Sequence, residues 1–332
     1  MPQQKPALAL TMGEPAGIGP ELTLTAWRQR SAHDAPFFVL AAPGHLASVA
    51  KTIGIDARII ETEPAEAASV IGNGLPVVPL KNAVEAAPGR PNSANAAATI
   101  ESITRAVEAV HTGEARAVVT NPIAKSTLYE SGFRFPGHTE FLGELATAWG
   151  EPVFPVMMIW SEKLAVVPIT IHLALAEAIK ALDAELIKRA ARIVDHEMRA
   201  RFGVTRPRLA FAGLNPHAGE GGAMGREEIT IIAPAIEALR AEGIDAAGPL
   251  PADTMFHAKA RAAYDVALTM YHDQGLIPAK TLAFEEAVNV TLGLPFVRTS
   301  PDHGTAFDIA GKGIANPSSL IAALRLADRL TK

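Results

Sequence analysis

The chain has 332 residues, of which 48% are hydrophobic and 5% aromatic, so a large aliphatic core can be buried. It contains no cysteine, which excludes disulfides, thiolate nucleophiles and thiolate metal ligands. The net charge is −5 and no block of Lys and Arg occurs, which argues against nucleic-acid binding. No apolar run is typical of a signal peptide or a membrane span, so we expect a soluble, cytoplasmic protein.

Strand-like and helix-like segments alternate along the whole chain. Apolar runs predict strands at 7–12, 37–42, 116–121, 153–160, 164–172, 208–215, 265–272 and 287–294. A first long helix should begin after Ser93, as N-cap, and end at Gly113. Further helices are predicted at about 173–202 and 226–242 and from Ser318 onward. Pro168 predicts a sheet edge or a bulge. The alternation predicts an α/β fold with a mostly parallel sheet.

Three histidines stand at or just beyond the carboxyl ends of apolar runs: His172, His217 and His272. Ligands of open α/β sheets gather beyond such strand ends. A single histidine there is more often exposed or hydrogen-bonded, but three repeats of the placement favour a shared site. Three histidines are a recognised catalytic metal arrangement, and imidazole suits zinc, cobalt, nickel or iron better than calcium.

Two aspartates are candidates for orienting a ligand imidazole or accepting a proton: Asp253 in the PADTMFH stretch, and Asp273 beside His272. The alternative is that they cap helices or turns.

Several polar residues could hold an anionic substrate. Lys280, Asn289 and Arg298 follow the third histidine, and His138 and Thr139 stand at a predicted helix start, where backbone N–H groups favour anions. Ordinary surface charge and an N-cap at Thr139 are the alternatives. The glycine-rich segments 13–22 and 217–228 match neither the dinucleotide fingerprint nor the P-loop. The residues alone therefore predict an α/β metalloenzyme with an anionic substrate.

Long motifs give the chain a resemblance over nearly its full length to the 4-hydroxythreonine-4-phosphate dehydrogenases of the vitamin B6 pathway. These motifs are GEPAGIGPEL, NPIAKSTL, GHTEFL, LNPHAGEGGAMGREE, GPLPADTMF, YHDQGLIPAK and VNVTLGLPFVRTSPDHGTAFDIAGKG. The resemblance implies metal binding by His172, His217 and His272. It also implies substrate contacts by a set that matches the anion candidates above: His138, Thr139, Lys280, Asn289 and Arg298.

A more distant resemblance concerns the cofactor. Segment 303–317 is similar to the segment with which isocitrate and isopropylmalate dehydrogenases hold the adenosine part of NAD(P), although Phe307 stands where those enzymes have Pro. Their aspartate metal ligands are absent. The resemblance places five residues near NAD or NADP: His303, Gly304, Thr305, Asp308 and Asn316.

The resemblance also implies a two-domain isocitrate/isopropylmalate dehydrogenase-like fold with the active site in the interdomain cleft. Residues 1–136 plus 300–332 would contribute the nucleotide site. Residues 137–299 would carry the metal ligands, the substrate ligands and the interface of a homodimer, in which both subunits supply metal ligands to one site.

The implied reaction is metal- and NAD-dependent oxidation of 4-phosphooxy-L-threonine, with zinc ranked ahead of magnesium or cobalt. Asp273, Asp253 and Lys125, in that order, are candidate proton acceptors. A related phosphorylated hydroxy acid, phospho-threonate or phospho-erythronate, is an alternative substrate. A hydrolase using three histidines and a metal, and a non-catalytic phosphate-binding module, are the alternatives from other classes.

Overall fold

The computed structural model describes residues 5–135, 137–150 and 152–332. The chain divides into two compact units, Met1–Pro155 with Leu294–Lys332, and Val156–Gly293. The division differs from the predicted boundaries at 136/137 and 299/300. The reason is that Phe141, Leu142 and Ala146 of the helix beginning at His138 are buried in the same apolar core as the first strands. The roles assigned to the two domains stay predictions.

The first unit alternates strands and helices. Its strands are β1 (Ala7–Thr11), β2 (Phe37–Ala41), β3 (Ile59–Glu61), β4 (Leu75–Pro79), β5 (Ala115–Val119) and β12 (Arg298–Pro301). Its helices are α1 (Gly19–Gln29), α2 (Pro43–Thr52), α3 (Ala67–Val70), α4 (Ala96–His111), α5 (Lys125–Glu130), α6 (His138–Thr147) and α13 (Ser318–Leu330). The strand order β3-β4-β2-β1-β5-β12 is parallel throughout. Such strands are buried on both faces, which explains their continuous apolar runs.

The second unit contains the remaining elements. Its strands are β6 (Val156–Ser161), β7 (Leu164–Pro168), β8 (Arg208–Ala212), β9 (Asp245–Leu250), β10 (Val266–Thr269) and β11 (Val288–Leu292). Its helices are α7 (Leu175–Ala181), α8 (Ala184–Ala200), α9 (Ala233–Ala241), α10 (Ala252–Met255), α11 (Ala258–Arg261) and α12 (His272–Ala283).

Within the second unit the strand order is β11-β6-β7-β10-β8-β9. β6 runs antiparallel to both β11 and β7, and the other neighbours are parallel. The predicted α/β class with mostly parallel sheets is therefore confirmed.

Two of the predicted element boundaries need correction. The Asn92 side chain, and not that of Ser93, accepts the N–H of Ala94, at 3.0 Å, and a short 3₁₀ turn precedes α4. The helix expected at 173–202 is two helices, because Asp183 has extended backbone angles and caps α8 through the N–H of Leu186.

Pro168 lies on an interior strand rather than an edge strand. It is the last residue of β7, opposite Thr269 of β10, so its missing N–H falls where the strand ends. Gly113 follows α4 with a φ of +78°, and the last helix begins at Ser318, both as predicted. Within the described part of the chain, no helix combines the length and apolar character needed to span a bilayer.

Candidate active site

Three adjacent parallel strands of the second unit lead to the three predicted metal ligands. β7, β10 and β8 are neighbours in that order, and their carboxyl ends therefore share one edge of the sheet. His172 follows β7, His272 follows β10, and His217 follows β8. The three segments that carry these histidines therefore all start from the same sheet edge.

Two of these histidines lie close together. The ring centroids of His172 and His272 are 5.8 Å apart, with the planes tilted by 41°. Both rings line a cleft of about 290 Å³, together with Thr170, Tyr271 and Asp273. His172 has a φ of +52°, a left-handed conformation that is costly for a residue with a side chain. The fold therefore maintains a strained backbone at one member of the pair.

Asp273 holds the imidazole of His272 in one orientation. Its Oδ1 lies 2.7 Å from Nδ1 of His272, close enough for the Nδ1–H group to donate to the carboxylate. That contact fixes the tautomer and leaves Nε2 as the nitrogen available to a ligand. The sequence predicts that Asp273 either orients a ligand imidazole or caps a helix or turn. The contact with His272 supports the orienting role.

His217 lies in an exposed turn of unusual geometry. Five consecutive residues, His217 to Gly221, have φ values between +43° and +79°, whereas left-handed residues normally occur singly. Among residues 5–135, 137–150 and 152–332, no three His, Asp or Glu side chains are gathered closely enough to hold a metal ion. The fold brings together two predicted ligands, and the third stands on this separate turn.

Two polar side chains, one buried and one partly exposed, fix the turn that carries His217. Glu228, 3% exposed, accepts the backbone N–H of Asn215 at 2.7 Å and its side-chain amide at 3.0 Å. Gln274 accepts the N–H of Met270 at 2.7 Å and donates to the carbonyl of Gly213 at 2.7 Å. The turn after β8 is thereby tied to the end of β10, which bears His272.

The donor set fits a divalent metal such as zinc or cobalt. Imidazole nitrogens are the ligands these ions prefer, and the cysteine-free chain offers no competing thiolate. His172 and His272 would supply two ligands, with the Asp273 contact keeping Nε2 of His272 available. The residues present therefore fit two ligands of such a metal.

The first unit contains a cluster of polar side chains around the buried cation Arg298. Arg298 is 3% exposed on β12, and its Nη2 donates to the hydroxyl of Thr120 at 2.6 Å. Burial lowers the pKa of Arg298 to about 10, although the negative charge of Glu140 acts to raise it. Because this pKa is still well above 7, the guanidinium stays protonated at neutral pH. A buried cation of this kind is suited to binding a carboxylate or phosphate group.

His138 is the first residue of α6 and completes this group. Burial, and then the charges of Arg298 and Lys125, hold the pKa of His138 well below its usual value, so the ring is neutral at pH 7. Its buried Nε2 has no hydrogen-bond partner among the described residues. Thr139 lies in the first turn of α6, and the N-cap is Gly137, which corrects the alternative of a cap at Thr139. A neutral ring with an unsatisfied nitrogen fits a polar ligand.

Lys125 and Glu14 lie close to the same region. A Cβ on Gly137 would come within 3.6 Å of Nζ of Lys125, so the exposed lysine reaches the start of α6. Glu14 is 3% exposed, and burial raises the pKa of its carboxyl group. It accepts the N–H of Ala16 at 3.1 Å and the hydroxyl of Thr127 at 3.2 Å. Sequence reasoning named Lys125 and missed Glu14.

The remaining predicted substrate and base residues belong to the second unit. Lys280 is partly exposed on α12, and Asn289 is on β11 with a buried Oδ1 that has no partner within the described chain. Asp253 is exposed in the single turn of α10, which packs against the turn that carries His217. The predicted substrate ligands are thus divided between units: His138, Thr139 and Arg298 in the first, Lys280 and Asn289 in the second.

The predicted cofactor residues lie on one irregular segment between β12 and α13. Nδ1 of His303 is 3.0 Å from the carbonyl of Gly304, and its buried Nε2 has no partner among the described residues. Space is open beside Gly304, and Asp308 is exposed nearby in sequence. Thr305 accepts the N–H of Ile18 through its carbonyl at 3.0 Å. Asn316 accepts both the N–H and the hydroxyl of Ser318, at 3.0 and 2.7 Å. An exposed segment with an orphaned imidazole nitrogen fits a polar ligand such as a nucleotide.

The chain thus has two α/β units, with a histidine pair beside a carboxylate in the second unit and a buried arginine in the first, and these features are typical of an α/β enzyme. The chain matches the family described as "Pyridoxal phosphate biosynthetic protein PdxA" over residues 33–327, and it belongs to that family. It is an oxidoreductase that acts on a CH–OH group.

Named relatives agree with this assignment. The 4-hydroxythreonine-4-phosphate dehydrogenase of Methylorubrum populi is 60% identical, covering 98% of this chain and 94% of its own length. That of Bradyrhizobium diazoefficiens is 57% identical, with coverages of 97% and 96%. The crystal structure of the Klebsiella pneumoniae enzyme is 38% identical with a TM-score of 0.87, covering 98% of this chain and 100% of that one.

A solved structure of a differently named dehydrogenase has a similar fold. A terephthalate 1,2-cis-dihydrodiol dehydrogenase from Burkholderia xenovorans is 28% identical with a TM-score of 0.63, and 98% of each chain is covered. The fold of this chain therefore resembles that of a dehydrogenase that is named for a different substrate.

Proposed function

We propose that the chain is a 4-hydroxythreonine-4-phosphate dehydrogenase of pyridoxal 5′-phosphate biosynthesis. It would oxidise 4-phosphooxy-L-threonine with NAD or NADP to 2-amino-3-oxo-4-phosphooxybutanoate. That β-keto acid then loses carbon dioxide to give 3-amino-2-oxopropyl phosphate. The observation that carries the proposal is the 60% identity to a named enzyme of this activity over almost the whole chain.

The chain's own residues divide the work of binding. The buried cation Arg298, with neutral His138 and Thr139 at the start of α6, would hold one anionic end of the substrate. Lys280 and Asn289 of the second unit would complete its recognition. The partnerless Nε2 of His138 and Oδ1 of Asn289 support this role, since buried polar atoms normally have partners.

A divalent metal, with zinc ranked ahead of cobalt or magnesium, would be held by His172 and His272 and by His217. When bound, such an ion polarises the substrate hydroxyl and favours loss of its proton. His217 would come from a second copy of the chain, in a homodimer whose subunits share each site. His172 and His272 lie close together, whereas His217 lies on a separate turn. This arrangement supports metal ligands that are supplied by two subunits.

Hydride would leave C3 of the substrate for the nicotinamide ring, while the hydroxyl proton passes to a protein base. Asp273 accepts from His272, which favours an orienting role for it. Asp253 and Lys125 are then the remaining proton acceptors. The nucleotide would lie on the segment of His303, Gly304, Thr305, Asp308 and Asn316. The reaction would take place in the cytoplasm.

The test is the absorbance of reduced nicotinamide with purified protein, NAD and 4-phosphooxy-L-threonine, before and after chelation of the metal. Parallel reactions contain phospho-threonate or phospho-erythronate. We expect metal-dependent turnover that is strongest with the amino substrate. Turnover only with the other two would keep the dehydrogenase and reassign its substrate, whereas no nicotinamide reduction would favour a metal hydrolase that uses no nucleotide.

A further inference from the structure

The proposed nucleotide segment has no regular secondary structure of its own. Between β12 and α13, the chain forms turns and bends over residues 302–313, and Ala306 has a φ of +42°. Its internal backbone hydrogen bonds include those from Ile309 to Ala306 and from Lys312 to Ile309, at 3.1 and 3.2 Å. Such a segment takes one conformation only when contacts from elsewhere hold it.

Those contacts come from the glycine-rich GEPAGIGPEL motif, which matches no nucleotide fingerprint. Glu21, on the first turn of α1, is 2% exposed. Its Oε1 accepts the N–H of Gly311, and its Oε2 accepts the N–H of Gly313 at 3.2 Å. One buried carboxylate therefore binds two backbone amides of the DIAGKG turn.

The same motif approaches the segment at a second point. The N–H of Ile18 donates to the carbonyl of Thr305 at 3.0 Å. A Cβ on Gly17 would come within 2.9 Å of that carbonyl oxygen, closer than side-chain carbons approach such atoms, so glycine is required there. The motif thus holds the segment near both of its ends without matching a phosphate-binding pattern.

We propose that Glu21 is a positioning residue of the nicotinamide nucleotide site, acting through the backbone of Gly311 and Gly313. The inference rests on the proposed function, because it takes segment 303–317 as the nucleotide site. Glu21 is buried and both of its carboxylate oxygens accept from the segment's backbone, so it would act without contacting the cofactor. Its part is to order the segment beforehand, so that the nucleotide does not have to supply the free energy of ordering it.

The experiment compares Glu21→Gln with the wild-type protein. The glutamine side chain keeps one acceptor oxygen and replaces the other with a donor, so one of the two amide contacts is lost. NAD binding is measured by calorimetry, without turnover, and backbone amide exchange is followed on peptides covering residues 306–316. Loss of one contact to a carboxylate should weaken NAD binding by about tenfold. It should also speed exchange of that peptide.

A matched control exists in the same unit. Glu101 likewise binds two backbone amides, those of Lys81 and Asn82, at 2.8 and 2.9 Å, and neither amide belongs to the nucleotide segment. Glu101→Gln should leave NAD affinity unchanged. In steady-state assays, Glu21→Gln should raise KM for NAD and leave kcat at saturating NAD close to the wild-type value. A general loss of structure in Glu21→Gln would instead lower its kcat as well.

The outcomes separate this inference from the proposed function. Equal NAD affinity in wild type and Glu21→Gln would overturn the role of Glu21 and leave the dehydrogenase intact. No NAD or NADP binding by the wild type would overturn both. If Glu21→Gln does not fold, Glu21→Asp withdraws the carboxylate by one methylene and should show an intermediate loss of affinity. In the wild type alone, NAD should slow exchange of the 306–316 peptide, and unchanged exchange would refute the proposed location.

Discussion

The contact between Asp273 and His272 predicts a defined loss of metal affinity in Asp273→Asn. Asparagine keeps the size of the side chain and an acceptor oxygen, so the substitution removes mainly the negative charge beside Nδ1. Removing such a partner of a ligand histidine typically weakens metal binding 10- to 100-fold, or about 1.4–2.7 kcal/mol. The Asp273 side chain is 69% exposed, and solvent screens its charge. We therefore expect the lower end, about tenfold.

The assay is competition for zinc or cobalt with a chromophoric chelator, which needs no substrate or nucleotide. Asp195→Asn serves as the control, because Asp195 pairs with Arg199 at 2.9 Å in the same unit, on α8. Equal metal affinity in the two variants would refute the orienting role of Asp273. A fall in kcat of more than about a hundredfold at saturating metal would assign proton acceptance to Asp273 instead.

Three further substitutions test other parts of the structure. Glu228→Ala removes two hydrogen bonds to Asn215. It should lower the free energy of unfolding, measured by urea denaturation, by about 2–4 kcal/mol. Asp34→Asn should cost about 1 kcal/mol or less at pH 7. Arg325 holds the pKa of Asp34 at about 2 in the folded state, below its usual 3.8. The stabilisation is therefore fully present above about pH 4 and is lost as the pH falls through about 2, so the difference between variant and wild type should vanish only below that pH. Arg298→Lys should raise KM for the phosphorylated substrate about tenfold or more, measured by steady-state kinetics.

Two of these substitutions have a matched control variant. Glu237→Ala removes an exposed contact to Arg240 and should change stability by less than about 0.5 kcal/mol. Equal loss in both glutamate variants would contradict the role given to Glu228. A pH-independent effect of Asp34→Asn would contradict the shifted pKa. Arg325→Lys, the control for Arg298→Lys, should leave KM for the phosphorylated substrate unchanged. If Arg298→Lys also leaves this KM unchanged, Arg298 is not part of the substrate site.

The sequence predicted the strands that lead to the histidines because continuous apolar runs are typical of buried parallel strands. It could not show that β7, β10 and β8 are consecutive neighbours, since strand order depends on contacts between distant segments. The position of Pro168 illustrates the limit. A proline within an apolar run predicts an edge strand, yet at the last residue of a strand its missing N–H costs no interior ladder bond.

The residues that the sequence did not predict are mainly buried carboxylates. Glu14, Glu21 and Glu228 stand in polar or glycine-rich stretches where an acidic residue is usually solvated. Their hydrogen bonds go to backbone amides or to side chains that only the fold brings near. Helix boundaries are hard to predict for a different reason, because neighbouring residues can both be good N-caps. Asn92 and Ser93 are such a pair, and in the structure it is Asn92 that accepts the backbone N–H of Ala94.

The left-handed turn from His217 to Gly221 has a consequence for how this position can change during evolution. A residue with φ near +52° is disfavoured for most side chains, and β-branched residues are disfavoured most strongly. Replacing His217 therefore alters the chemistry and the backbone energy together. Asparagine, which tolerates this conformation, would separate the two effects better than alanine. A histidine retained at this place among homologues would thus report selection on shape as well as on the imidazole.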